Sequence, residues 1–164
     1  MKKLLHLSIF TLIITIFYGC PVGIDYPLGK PGDHKIDKDM IGTWVAGSDE
    51  ADVKKVEFSK NDDHSYKVHV LERGEMYALE TDNLTGWLTE VDGKTFLYLK
   101  PDDEEKYYHY MIKESGKGTL VTCDVSLLDG GVDSVTSSET LRKQVSSSMN
   151  MEGYCAETLN WTKQ

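Results

Sequence analysis

Between Val53 and Leu127, apolar and polar residues alternate in short runs separated by turn residues at hairpin distance, and this leaves few folds open. Val56 and Phe58 alternate with Lys55 and Glu57, and Tyr66, Val68 and Val70 alternate with Lys67 and His69. A period of two puts one set of side chains on a buried face and the other in water, the signature of half-buried strands. Asn61-Asp62-Asp63-His64, Arg73-Gly74, Asp82-Asn83, Asp92-Gly93 and Ser115-Gly116-Lys117-Gly118 punctuate the runs. Asp92-Gly93 is the sharpest of these, because both residues tolerate the positive φ of a two-residue type I′ turn. Links this short join antiparallel neighbours; parallel strands need long crossovers. The reading is mainly β, with about eight or nine strands in a meander that closes into a small up-and-down barrel and so removes exposed edges.

Two strands are apolar on both faces: Thr95-Phe96-Leu97-Tyr98-Leu99 and Tyr107-Tyr108-His109-Tyr110-Met111-Ile112. One face fills the core and the other needs a cover. A single C-terminal helix, about Ser137 to Met149, is placed to supply it. Thr136 and Glu139 stand at capping-box spacing, and Leu141, Val145 and Met149 form a stripe at i, i+4, i+8. Thr158-Leu159-Asn160-Trp161-Thr162 reads as a short closing strand.

Ahead of this body lie two segments of different character. Lys2 and Lys3 precede an apolar run from Leu4 to Phe17 that is short for a membrane span and ends at Gly19-Cys20, the form of a secretory signal. Gly19-Cys20 resembles the lipobox of bacterial lipoproteins. That resemblance implies a signal peptide over 1–19 and acylation of Cys20 by palmitate-like chains. It also implies a cell-envelope location, with Pro21 favouring the outer membrane over the inner where the cell has both. Several acyl chains would fix the protein, since each buried methylene contributes about 0.8 kcal/mol. Residues 20–38, with Pro21, Pro27, Pro31, Gly23, Gly29 and Gly32, show no hydrophobic period and read as a flexible tether of roughly 25 Å r.m.s.. The remaining 39–164 form one domain, too short for two ordinary ones.

Composition excludes some partners. Loss of Lys2 and Lys3 with the leader takes the formal charge from −9 to −11, which opposes nucleic acid and anionic headgroups. With Cys20 assigned to the anchor, Cys123 and Cys155 remain as an even pair. In an exported domain they are a candidate disulfide, the alternative being two buried thiols.

Gly42-Thr43-Trp44 opens the first strand of the meander. A Gly-x-Trp in this place resembles the lipocalins and wider calycins, including the lipocalin-like domains of bacterial lipoproteins, over most of Ile41 to Leu127. The resemblance implies that Trp44 closes the barrel floor, that Gly42 lets the chain approach it, and that a basic residue from a late strand covers the ring. Lys163 is the nearest candidate. The other reading of Trp44 is a core aromatic at a strand end.

The resemblance also implies a ligand cavity, for which Tyr66, Phe96, Tyr98 and Asp124 are the candidate lining. Asp124 shares a face with Thr122 and Ser126, and the simpler reading puts that face in solvent. The tyrosines are strand residues that pack well in a core as readily as they line a pocket. Asp62-Asp63-His64 and Asp102-Asp103-Glu104-Glu105 lack the spacing of metal sites, and no nucleophile elbow or phosphate loop is present. No cofactor, metal or catalytic residue is therefore assigned, and the chain reads as noncatalytic. Its expected role is to bind a small apolar or amphipathic ligand in a barrel cavity of a few hundred Å³ at the envelope. The alternative is a protein-interaction module, an accessory subunit or inhibitor, with a packed barrel and an exposed aromatic patch around Tyr107 to Tyr110.

Overall fold

The computed structural model describes residues 22–125, 127–155 and 158–164. Residues 1–19, expected to be a signal peptide, and Cys20 lie outside the described residues. Eight strands follow the alternation: β1 Gly42–Ala46, β2 Val53–Lys60, β3 Tyr66–Arg73, β4 Asn83–Val91, β5 Lys94–Pro101, β6 Tyr108–Ser115, β7 Thr119–Asp124 and β8 Leu159–Lys163. Each pairs antiparallel with its neighbour in sequence, and β8 returns to β1, so the sheet is a closed barrel with no free edge. Asp92-Gly93 makes the β4–β5 turn with φ 49° and 74°, the left-handed pair that a tight hairpin demands.

The helix α1, Ser138–Ser148, follows the β7 strand. Its N-cap is Ser137, whose hydroxyl accepts from the Thr140 N–H, one residue later than the Thr136–Glu139 spacing suggests. Glu139 instead pairs with Lys143 one turn on, at 2.8 Å. Cys123 on β7 and Cys155 after the helix form a disulfide, with Cα atoms 5.3 Å apart.

Two apolar clusters result. One fills the barrel: Trp44, Val56, Phe58, Tyr66, Val68, Val70, Leu84, Leu88, Leu97, Leu120 and Trp161, with Met40 beneath them. The other lies outside the wall, where Val91 and Phe96 meet Leu141 and Val145 of α1 together with Val125, Leu128, Ile24 and Leu28. The helix thus covers Phe96 and Met111 on the second apolar face of β5 and β6.

Ile24 and Leu28 come from the stretch read as a flexible tether, and both are buried. Ile24 exchanges two backbone hydrogen bonds with Tyr107, at 2.9 and 2.8 Å. Arg142 of α1 donates to the Leu28 and Glu90 carbonyls and to the Thr89 hydroxyl. At Gly29 a β-carbon would stand 2.5 Å from the Thr89 side chain, so only glycine lets the segment lie this close to β4. From Ile24 to Gly29 the chain is a strap along the outer wall. Two isolated apolar residues among prolines and glycines have no period to reveal them, which is why the sequence reads as coil.

Candidate functional site

The barrel end at the start of β1 is built around the Gly-x-Trp motif. Trp44, 1 % exposed, points into the barrel and donates from Nε1 to the Met40 carbonyl at 2.7 Å. Lys163 lies across from it in register, with Nζ 5.4 Å from the ring centroid and donating to the Asp39 carbonyl at 2.9 Å. A cation over an indole face is attracted by the ring quadrupole. Gly42 has φ 133°, and a β-carbon there would meet Lys163 Cε at 2.7 Å. Glycine is what allows lysine, tryptophan and the entering chain to share this end.

Residues 34–41 cross the same end. The Tyr66 hydroxyl accepts from the Asp37 N–H at 2.6 Å and donates to the Asp37 carbonyl at 3.0 Å. Burial raises this phenol well above its usual range. Ser115 Oγ donates to Asp37, and His64 Nδ1 lies 3.0 Å from the His34 carbonyl. Asp62 accepts from the His64 N–H at 2.7 Å, and Asp63 pairs with Lys60. This acidic hairpin therefore shapes its own turn. A recess of about 230 Å³ remains beside the crossing, lined by Lys35, Met40, Leu88, Glu90, Thr95 and Ile112 among others.

At the opposite end Tyr77 and Leu79, from the β3–β4 connection, pack onto the interior cluster. Arg73 stands 4.8 Å from the centre of the Tyr77 ring and is bonded to Asp82 at 2.6 Å. Burial, with the charges of Asp82, Asp103 and Glu104 around it, pushes the Tyr77 phenol up to about 12. Tyr108 is likewise pushed to about 12 by burial and by its hydrogen bond to Glu104. Tyr110 is raised further, first by burial and then by Asp124 and Asp52.

The four candidate cavity residues do not converge. Tyr66 points into the barrel, and so does Asp124, which shares its face with Leu120 and Thr122 and pairs with Tyr110. Thr122 accepts from Trp161 Nε1 inside the barrel. The polar face of β7 is therefore the inner one, against the simpler expectation, because the indole donor needs a buried acceptor. Phe96 and Tyr98 are on the outer face, Phe96 under α1 and Tyr98 in a ring group with Trp87, Tyr107 and His109. The aromatic patch expected at Tyr107 to Tyr110 is not laid open either. Tyr108 and His109 are buried and the flanking two half-buried.

The ring group holds what the sequence did not reveal. Tyr98, stacked on Trp87 at 5.4 Å, is fully buried with no hydrogen-bond partner for its hydroxyl among the described residues. His109, 4 % exposed, has neither ring nitrogen in a hydrogen bond of good geometry. Burial lowers its pKa to about 4, a shift only partly opposed by the nearby backbone of Tyr26 on the strap. No local pattern marks a histidine that the distant N-terminal strap will cover.

Among the described residues no three or more His, Cys, Asp or Glu side chains gather as metal ligands. No helix among them is long and apolar enough to cross a membrane. Comparison with protein-family models, with curated proteins and with solved structures finds no match.

Proposed function

We propose that this protein is a lipid-anchored, noncatalytic envelope protein, with a lipocalin-like barrel that works through its outer surface as a protein-interaction module. The observation that carries this reading is the buried apolar cluster that runs along the inside of the barrel. Trp44, Phe58, Tyr66, Leu97, Leu120 and Trp161 occupy the barrel core, Met40 and Ile36 pack at one end, and Tyr77 and Leu79 at the other. Eight-stranded barrels are just wide enough to be filled by side chains or to hold one small ligand, and the many large side chains on the inner face favour the first. The lipocalin-like assignment is supported by the Gly42–Trp44–Lys163 arrangement. The anchor rests on Gly19-Cys20 behind a basic and apolar leader.

Native mass spectrometry of the protein released gently from its own membranes tests both parts. The expected masses are those of a chain beginning at an acylated Cys20, alone and in stoichiometric complex with another protein. A stoichiometric small apolar ligand retained by the chain would overturn the packed-barrel reading. An unmodified Cys20 would overturn the anchor.

A further inference from the structure

The strap runs from Ile24, four residues after Cys20, to Gly29, and it lies over the ring group that contains His109. Its hold is built from two buried apolar side chains, the Ile24–Tyr107 bridge and the Arg142 clasp on Leu28. Beneath it are two buried polar side chains: Tyr98, whose hydroxyl has no hydrogen-bond partner among the described residues, and His109, whose ring has only the strap's own Tyr26 backbone beside it. A well-packed wall ordinarily satisfies such groups or replaces them with apolar ones, since leaving one unmade costs about 1–3 kcal/mol. The aromatic stack would be served as well by phenylalanine at both positions. What a histidine adds is a charge that the closed arrangement cannot accommodate.

We propose that the strap is an acid-released latch: protonation of His109 beneath it drives residues 22–31 off the barrel wall and lengthens the tether between the anchor and the domain. The consequence for reach rests on the lipid-anchored reading above; the latch itself does not.

The groups around the ring leave it without a compensating anion in hydrogen-bond contact. β5 contributes the neutral Tyr98, the chain entering β6 contributes Tyr107, and β4 contributes Trp87. The strap contributes the backbone of Tyr26, and Asp33 beyond it acts on the Tyr98 hydroxyl. α1 contributes Arg142, a fixed cation that donates to the Leu28 carbonyl of the strap and the Glu90 carbonyl of β4. Asp25, Glu104, Glu105 and Lys106 line an open dish at the strap's near edge, beside Tyr108.

The sign follows from linkage. The closed state holds His109 neutral down to about pH 4, whereas an exposed imidazole takes its proton near pH 6.5. The open state therefore binds more protons between these values. Closure is strongest above pH 6.5, weakens as the pH falls, and has lost its full contribution near pH 4. Across that window the opening equilibrium rises by up to about 300-fold.

Release changes geometry at the membrane. With Ile24 pinned, the chain from Cys20 spans at most about 14 Å. With the strap free, the next pinned point is His34, whose carbonyl meets His64 Nδ1, followed by Ile36, whose N–H bonds the Asp63 carbonyl. The linker then becomes a coil of about 21 Å r.m.s. that stretches to about 48 Å.

Amide exchange of Ile24 and Tyr107, corrected for intrinsic rates and followed from pH 7.5 to 4 on the full mature protein, is the test. The expected result is a rise in opening of roughly a hundredfold or more, confined to the strap and its contacts while β2 and β3 stay protected. Because carboxylates discharge over part of the same range, His109→Phe is the control: it keeps the ring and should hold the strap closed at pH 4. Strap protection that does not change with pH, or an opening that persists unchanged in His109→Phe, overturns the latch. Should that variant not fold, NMR titration of the His109 ring in the native protein decides. A midpoint well below 6.5 is expected, and one at or above 6.5 overturns the proposal. Exchange reads the strap whether or not Cys20 carries lipid, so loss of the anchor and loss of the latch give separate results.

Discussion

Reducing the Cys123–Cys155 bridge gives a stability change that can be worked from the chain itself. The two residues are 32 apart in sequence, and opening a loop of that size returns about 3.7 kcal/mol of chain entropy to the unfolded state. A domain of this length has about 5–15 kcal/mol in total, so the loss is a large fraction. Unfolding entropy for roughly 140 residues is near 0.3 kcal/mol/K, which converts the loss into a fall in Tm of about 12 °C. The loop contains α1, whose contacts with the barrel include Leu141, Val145, the Arg142 clasp and the Ser146 hydroxyl on Asp92. Thermal unfolding followed by circular dichroism, with and without reductant and with free thiols counted by alkylation, measures the shift. Exchange of α1 amides should rise before that of β2 and β3. A fully reduced protein that melts within about 3 °C of the oxidised one would refute the loop-entropy reasoning.

Gly42→Ala should destabilise the protein by about 2 kcal/mol, because φ 133° is costly for alanine and the new methyl meets Lys163. Urea midpoints with an unchanged slope check this. Leu141→Ala, at a fully buried site between helix and wall, should cost about 3 kcal/mol. Its unfolding curve should show the loss, and Ile24 and Leu28 in the same cluster should exchange faster in native conditions.

Much of the architecture was legible because alternation is a local signal. Val56/Phe58 and Tyr66/Val68/Val70 read correctly as inner faces since their alternate neighbours are polar. Phe96-Leu97-Tyr98 offered no such contrast. With both faces apolar, the pattern cannot say which is inside, and it does not separate the outer Phe96 and Tyr98 from the inner Leu97. At Thr122 and Asp124 the pattern misled for the opposite reason. The interior there carries polar groups, and what selects them is Trp161, nearly forty residues on. The strap escaped notice because Ile24 and Leu28 are too few to form a pattern, and their partners Val91, Phe96 and Val145 lie far along the chain. Lys163 carries no local signal, and only the resemblance to lipocalins points to a cation over Trp44.

The position of β8 sets an order of events. It pairs with both β7 and β1, and its register places Lys163 opposite Trp44. Those residues are separated by nearly the whole barrel sequence, and joining two such distant points costs about 4 kcal/mol in chain entropy before any contact rewards it. Folding dominated by pairings of this kind is slow. The Cys123–Cys155 bridge shortens that search. It fixes Cys155 beside β7, four residues before Leu159, whose partner Thr122 adjoins Cys123. Once the sulfurs join, the last strand is already moored along its β7 edge, and only the β1 seam remains to be found. The bridge thus acts during assembly as a register pin, and a reduced chain should refold slowly even under conditions where its final structure is stable.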